Sequence, residues 1–233
     1  MAGNVHGPGS GLPLWGLALA AALIPLLTIH LTYLVSAMEG HVPWCMPYLE
    51  SCTSISRTGR HGTAYFIFKG TMLPAAILGM LFWWLNPHWL RQLGATPGRL
   101  GWITLLGVTA CLALVLYTLV LGHVGDGFRL LRRTGVVLYF SLTYLAQLLL
   151  SQALSGAPGW RRRGQGLLTL CVVTLSVAML TVVLQVVAYD FYQGIEDSFE
   201  WIIALLVNAH ALWVAVLWRR SRFSASIQVD HDG

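Results

Sequence analysis

Six uninterrupted apolar stretches, almost free of charged residues, dominate this chain of 233 residues. Each is roughly 19 to 25 residues long, enough for a helix to cross the ~30 Å hydrocarbon core of a bilayer. Backbone amides in lipid must be satisfied within their own segment, and the stretches lack the alternation of barrel strands. The sequence therefore predicts an all-α polytopic membrane protein, a bundle of six transmembrane helices. The predicted spans are residues 12–36, 63–85, 100–121, 135–154, 167–189 and 199–217.

Little of the chain lies outside these spans. Charged residues make up 10% of it, against ~25% in soluble proteins. The first loop at 37–62 and the tail at 219–233 are both shorter than the ~40 residues that an independent core usually needs. Residues 1–233 are therefore expected to form a single six-helix transmembrane domain. The first apolar stretch lacks a preceding basic region and is longer than the ~7 to 15 residues of a signal-peptide core, so we expect it to be retained.

Positive charge is distributed over short loops and predicts the orientation of the chain. The net charge of the chain is +5. Because the chain lacks the contiguous basic stripe of nucleic-acid-binding proteins, no nucleic-acid partner is expected. Excess Lys and Arg mark cytoplasmic loops. The side that holds both termini carries the larger share: Arg91, Arg99, Arg161, Arg162, Arg163, Arg219, Arg220 and Arg222. We expect both termini in the cytoplasm and the 37–62 loop outside, in a bacterial cytoplasmic membrane or a eukaryotic endomembrane.

The four cysteines divide into two kinds. Cys111 and Cys171 fall inside predicted spans and are typical of small packing residues. Cys45 and Cys52 share the predicted external loop, where an oxidising compartment would permit a disulfide. The alternative is two unpaired thiols. No second cysteine pair or HxxxH motif accompanies them, so no metal site is expected.

The first loop and two helix starts resemble those of a known membrane family. The runs are Thr32-Tyr-Leu-Val-Ser-Ala-Met-Glu-Gly-His-Val, Pro47-Tyr-Leu, Ser54-Ile-Ser-Arg-Thr-Gly, Arg133-Thr-Gly and Phe199-Glu-Trp. Their order resembles the family of damage-regulated autophagy modulators (DRAM). That family includes Golgi proteins that remodel the lipid of glycosylphosphatidylinositol anchors and the amino-terminal part of a yeast cell-wall relative. The resemblance implies six spans and a lipid-facing task, and not one named reaction. The insertion at 49–53 departs from the family pattern, as does Arg133, where DRAM members tend to carry His.

Cationic residues on the predicted external side are candidates for binding a lipid headgroup, because they oppose the orientation rule. Guanidinium matches phosphate through paired hydrogen bonds. Lys69 lies inside a span and must be paired, hydrated or near the interface, with Glu200 as a possible partner. The headgroup candidates are Arg57, Lys69, Arg129, Arg132 and Arg133. The alternatives are ion pairs with the acidic loop around Asp190, Glu196 and Asp197 and, for Lys69, an ion pair that fixes two spans.

Further polar residues are expected near the same end of the bundle. At ~1.5 Å per residue, His30, Lys69 and Gln185 fall in one layer below the external ends of their spans. The predicted polar pocket comprises His30, His41, His61, His123, Asp126, Gln185 and Glu200. The alternative for each histidine is an ordinary hydrogen-bonded or interfacial imidazole.

Catalytic residues remain unassigned. Ser54 and Ser56 with nearby histidines could supply a nucleophile and base, but Ser-x-Ser is not a nucleophile elbow. No cofactor is expected, because haem ligation needs histidines at equal depth on facing helices. The favoured interpretation is a protein that binds phospholipid or glycolipid at the outer leaflet, supporting lipid remodelling or transbilayer distribution. The alternatives are a scaffold that acts through a membrane-protein partner and a lipid acyl hydrolase or transferase.

Overall fold

The computed structural model describes residues 12–225, and most of them are helical. Six helices are long and apolar enough to cross a membrane, which confirms the predicted fold class. The long helices are α1 (Trp15–Met38), α4 (Gly62–Gln92), α5 (Leu100–Val120), α6 (Asp126–Gly156), α7 (Arg161–Val187) and α9 (Glu196–Arg220). The short helices are α2 (Pro47–Glu50), α3 (Ile55–Thr58) and α8 (Tyr189–Gln193), and a 3-10 turn spans Pro97–Arg99. Residues 1–11 and 226–233, for which the sequence predicted a cytoplasmic location, lie outside the described residues.

The long helices pack in the order of the sequence, and α9 closes the bundle by returning to α1. At one end, which we call the terminal end, strand β1 (Leu12–Pro13) pairs antiparallel with strand β2 (Ser224–Ala225). The Leu14 amide also donates to the Phe223 carbonyl at 3.1 Å. The opposite end, which we call the loop end, carries α2, α3 and α8. Both ends of the described chain therefore lie on the same side of the bundle.

Helix α6 differs most from its predicted span. The sequence predicted a start at Gly135, but the helix begins at Asp126. Charged side chains lowered the hydropathy of these first turns, whereas helix formation depends on backbone hydrogen bonds that the charges do not interrupt. Arg129, Arg132 and Arg133 consequently lie on a helix that extends the membrane span, and not on a loop.

Small residues set how closely α6 approaches its neighbours. A Cβ atom at Gly135 would lie 3.0 Å from the Cβ of Tyr117 on α5, so only glycine permits this approach without a shift. At the terminal end, Gly164 of α7 faces the backbone of Ser155, too close for any side chain. Helices α6 and α7 are thus in backbone contact at the terminal end.

The first loop folds over the loop end and is anchored to two helices. Tyr33 of α1 donates to the Cys45 carbonyl at 2.6 Å and accepts from the Cys45 amide at 2.8 Å. Trp201 of α9 is fully buried and donates to the Thr53 carbonyl at 2.9 Å. Cys45 and Cys52 form a disulfide with a Cα–Cα separation of 6.6 Å. The loop is therefore a structured cap.

Serine at both positions 45 and 52 should lower the free energy of unfolding by ~2 to 3 kcal/mol, because the disulfide restricts the unfolded loop. Thermal unfolding in detergent measures this change. In the denatured parent protein, thiol titration should find more free thiols after reduction than before it. Equal titres with and without reductant would contradict the disulfide.

Candidate functional site

A cavity of about 850 Å³ opens at the loop end among α6, α7 and α9. Toward the terminal end, α7 lies close to both other helices, since Gly164 faces the Ser155 backbone of α6 and Gly166 faces the Trp213 ring of α9. Several wall residues are also exposed on the side of the bundle: Val137 is 55% and Val182 is 51% exposed. The cavity therefore opens sideways, toward the region that lipid would occupy.

One face of α6 forms a wall of this cavity. Its residues recur at the spacing of three and four that places side chains on a single helix face. From the loop end inward they are Arg129, Arg132, Arg133, Val136, Val137, Phe140, Ser141, Tyr144 and Leu145. The face is cationic in its first turns and then mainly apolar, so the cavity has a charged mouth and a mostly apolar interior.

The remaining walls extend the apolar part. Helix α7 contributes Leu175, Ala178 and Val182, and α9 contributes Ile203 and Val207. Thr174 and Thr181 also line the cavity, but their hydroxyls donate to carbonyls of their own helix, at 2.9 and 2.7 Å. These hydroxyl protons are thus already committed to the backbone.

Arg60 joins the α6 arginines at the mouth, although sequence reasoning did not select it. Its guanidinium donates to the Ser56 carbonyl at 3.1 Å and to the Ser56 hydroxyl at 2.9 Å. Burial lowers the pKa of Arg60, and the nearby positive charge of Arg132 lowers it further. Arg132 is held in turn by a 2.6 Å hydrogen bond to the His123 carbonyl. Positive charge is thus crowded at the mouth.

Glu200 provides a carboxylate at the same mouth. It lies in the first turns of α9, partly buried, beside the backbone amides of Ile55 and Ser56 and close to the Tyr117 side chain. Within residues 12–225, no Lys, Arg or His nitrogen lies within 4.0 Å of it. The mouth therefore combines clustered arginines with a carboxylate that has no close ion pair.

Two further cavities lie beside the mouth at the loop end and share lining residues with it. One, of about 790 Å³, is lined by residues that include Glu39, His41, His61 and Arg60. The other, of about 310 Å³, is lined by residues that include His123, Arg129, Arg132 and again Arg60. Because Arg60 borders all three spaces, a polar group at the mouth could remain in contact with the aqueous side.

The predicted headgroup residues do not all lie together. Arg129, Arg132 and Arg133 line the lateral cavity. Arg57 lies outside the cavity wall and pairs with Asp197 at 3.7 Å, as the ion-pair alternative anticipated. Lys69 does not reach Glu200. Its ammonium group donates to the Tyr65 hydroxyl at 2.6 Å and to the Leu119 carbonyl at 3.0 Å, between α4 and α5.

The predicted polar pocket is also divided. His30 hydrogen-bonds the Leu26 carbonyl at 2.7 Å through Nδ1 and the Tyr48 hydroxyl at 2.9 Å through Nε2. Both nitrogens are occupied, and the imidazole packs beneath the loop as a structural group. Gln185 is exposed on α7.

The exposed polar residues border the mouth without forming one pocket. His41 and His61 lie with ring centroids 5.6 Å apart in the 790 Å³ cavity. Their neighbour Glu39 accepts the Thr63 amide at the start of α4. The interaction with the Thr63 side chain, together with this amide, lowers the pKa of Glu39. Asp126 pairs with Arg129 at 3.4 Å, and His123 lines the 310 Å³ cavity.

A buried polar cluster lies deeper in the bundle. Gln147 donates to the Val207 carbonyl at 2.9 Å, and Ser151 donates to the Gln147 carbonyl at 2.7 Å. His210 lies 2.9 Å from the Ser151 hydroxyl, and Cys171 lies 3.7 Å from it. Because the Ser151 proton is committed to Gln147, His210 must donate through Nε2. The cluster joins α6, α7 and α9, and the side chains of Gln147, Ser151, Cys171 and His210 lie outside the lining of the lateral cavity.

The mouth is suited to binding an anion. Ser56 lies 3.3 Å from Ser54 and accepts from Arg60, and no histidine is hydrogen-bonded to either serine among the described residues. Residues 12–225 also contain no group of three His, Cys, Asp or Glu side chains placed to hold a metal ion. The strongest chemical match to clustered guanidinium groups is phosphate.

These features define a multi-pass helical membrane protein with a lateral cavity that is cationic at one end and mainly apolar at the other. Residues 13–216 match the family model described as Frag1/DRAM/Sfk1/Cwh43P N-terminal domain. The chain therefore belongs to this family, as the sequence motifs predicted. No curated protein and no solved structure matches it, so the assignment comes from the family model.

Proposed function

We propose that the protein binds a phospholipid sideways from the bilayer, with the phosphate at the mouth of the lateral cavity and an acyl chain against its apolar wall. The observation that supports this most directly is the single face of α6, which leads from Arg129, Arg132 and Arg133 to Val137 and Phe140 within one cavity. A phospholipid has the same order of charge and hydrocarbon. The cavity volume also falls within the ~300–1,000 Å³ range of small-molecule sites.

Selectivity in such a site must come from the mouth. An acyl chain gains little hydrophobic free energy by moving from lipid to an apolar protein wall, because both surroundings are hydrocarbon. A phosphate gains charge-assisted hydrogen bonds from the guanidinium groups, which the apolar wall cannot offer. The guanidinium groups of Arg129 and Arg133 are exposed and available as donors, whereas Arg60 and Arg132 are already held by hydrogen bonds.

The proposed site would act at the outer leaflet if the arginine distribution sets orientation as expected. Holding a headgroup away from its neighbours is a step shared by lipid remodelling and by transbilayer redistribution, and we place the protein in that class of task. A membrane-protein partner that docks on the loop end is the competing proposal, since the same arginines could contact an acidic protein surface.

The proposed orientation can be tested by labelling single introduced cysteines in intact cells or sealed vesicles. A membrane-impermeant thiol reagent should label position 50 or 196 from the outside and should leave position 162 unlabelled until the membrane is opened. Labelling of position 162 from the outside would invert the orientation and move the proposed site to the other leaflet.

Replacing Arg129 and Arg133 with lysine should weaken phospholipid binding although it preserves the charge. Lysine lacks the planar donor fork, and loss of charged hydrogen bonds worth ~1.5 to 3 kcal/mol corresponds to roughly tenfold or more in affinity. Retention of a phosphatidylglycerol probe by the detergent-purified double variant, measured by native mass spectrometry, gives the change.

Arg57→Lys is the matched control, because Arg57 lies at the same end but outside the cavity wall. It should retain lipid as the parent does, because lysine keeps the charge opposite Asp197 and position 57 does not line the cavity. Equal retention by the parent and the folded Arg129→Lys/Arg133→Lys variant would remove the phosphate site. It would leave the protein-partner proposal ahead, which crosslinking to a protein would then support.

A further inference from the structure

Glu200 is an acidic side chain that a site for a purely anionic headgroup would not need. It lines the same mouth as Arg60, Arg129, Arg132 and Arg133. A carboxylate there opposes the binding of phosphate, so a site built for phosphate alone would do better without it. This inference rests on the proposed lipid site and concerns which headgroup the site accepts.

None of the neighbouring cations pairs closely with Glu200 among the described residues. Arg57 pairs with Asp197 on the first turn of α9, and Arg129 lies 3.4 Å from Asp126. Arg60 donates to Ser56, and Arg132 donates to the His123 carbonyl. Arg133 has no carboxylate within 4.0 Å among the described residues. The Glu200 carboxylate therefore faces the cavity without a close cation from residues 12–225, and a partly buried carboxylate gains from a cationic partner.

The mouth has charge of opposite sign on two walls. Arg129 and Arg133 belong to α6, whereas Glu200 belongs to α9. These helices make few direct contacts with each other, and the cavity lies between them. A headgroup that spans the mouth would meet guanidinium on one side and carboxylate on the other.

We infer that the site selects a zwitterionic phospholipid with a primary amine, whose phosphate contacts the α6 arginines and whose ammonium group donates to Glu200. In phosphatidylethanolamine a short ethylene linker joins these groups, so one headgroup can present both charges. Phosphatidylglycerol offers the phosphate without the cation. Phosphatidylcholine offers a cation that has no N–H donor, so it cannot form a hydrogen bond with the carboxylate.

The test is competition among these lipids for the purified full-length protein. Micelles that contain equal amounts of phosphatidylethanolamine, phosphatidylglycerol and phosphatidylcholine with identical acyl chains are equilibrated with it, and bound lipid is counted by native mass spectrometry. The parent should favour phosphatidylethanolamine by roughly tenfold, the size expected for one charge-assisted hydrogen bond. Successive N-methylation of the amine should reduce binding stepwise, and this series needs no variant of the protein.

Glu200→Gln should abolish the preference for the amine while it maintains or increases binding of phosphatidylglycerol. Glu196→Gln is the matched control, because Glu196 lies one turn earlier on α9, is exposed and does not line the cavity. Equal binding of ethanolamine and glycerol lipids by the parent, or no effect of N-methylation, would overturn the inference and leave the phosphate site intact. Failure of the parent to bind any phospholipid would reject the proposed function as well.

Discussion

The lateral cavity depends on α6 remaining one continuous helix from Asp126 to Gly156. In lipid the backbone has no hydrogen-bond partner except itself, so a chain that enters the bilayer must already be helical. Beginning the helix well before the apolar stretch fixes the rotation of the arginines relative to Val136 and Phe140 below them. A break near Gly135 would separate the charged turns from the wall that they extend.

The cap formed by the first loop completes the mouth from the other side. Its disulfide and its hydrogen bonds to Tyr33 and Trp201 hold α3 against α9. The cap thereby places Arg60 and Ser56 beside Glu200. In α9 the sequence Glu200-Trp201 serves both purposes, since the indole anchors the cap and the carboxylate faces the cavity.

The sequence predicted the helical class, the six spans and the disulfide because each follows from hydropathy, length or local spacing. The sequence could not predict which residues meet at the mouth of the cavity. Lys69 and Glu200 have opposite charge and lie toward the same end of the bundle, but position along a span does not specify rotation, and Lys69 instead contacts Tyr65 and Leu119.

No motif or spacing in the neighbouring sequence distinguishes Arg60 as a site residue. Its position follows from the fold of the whole first loop. The spacing of Arg129, Arg132 and Arg133 was a usable signal, since three and four residues apart is a helical period. Because the predicted span began at Gly135, these arginines fell in a predicted loop and their helical period was not recognised. The same helix face continues through Val136 and Val137 into the apolar wall.

Mapping where lipid lies on the protein tests the proposed cavity site directly. A phospholipid with a photoactivatable group in its acyl chain should crosslink mainly to residues 136–145 and 174–182. Ala178→Trp, which fills the cavity, should suppress these adducts, whereas Val183→Trp, on a residue of α7 outside the lining, should not. Adducts spread evenly over all six spans and unchanged by Ala178→Trp would contradict a lipid site in this cavity.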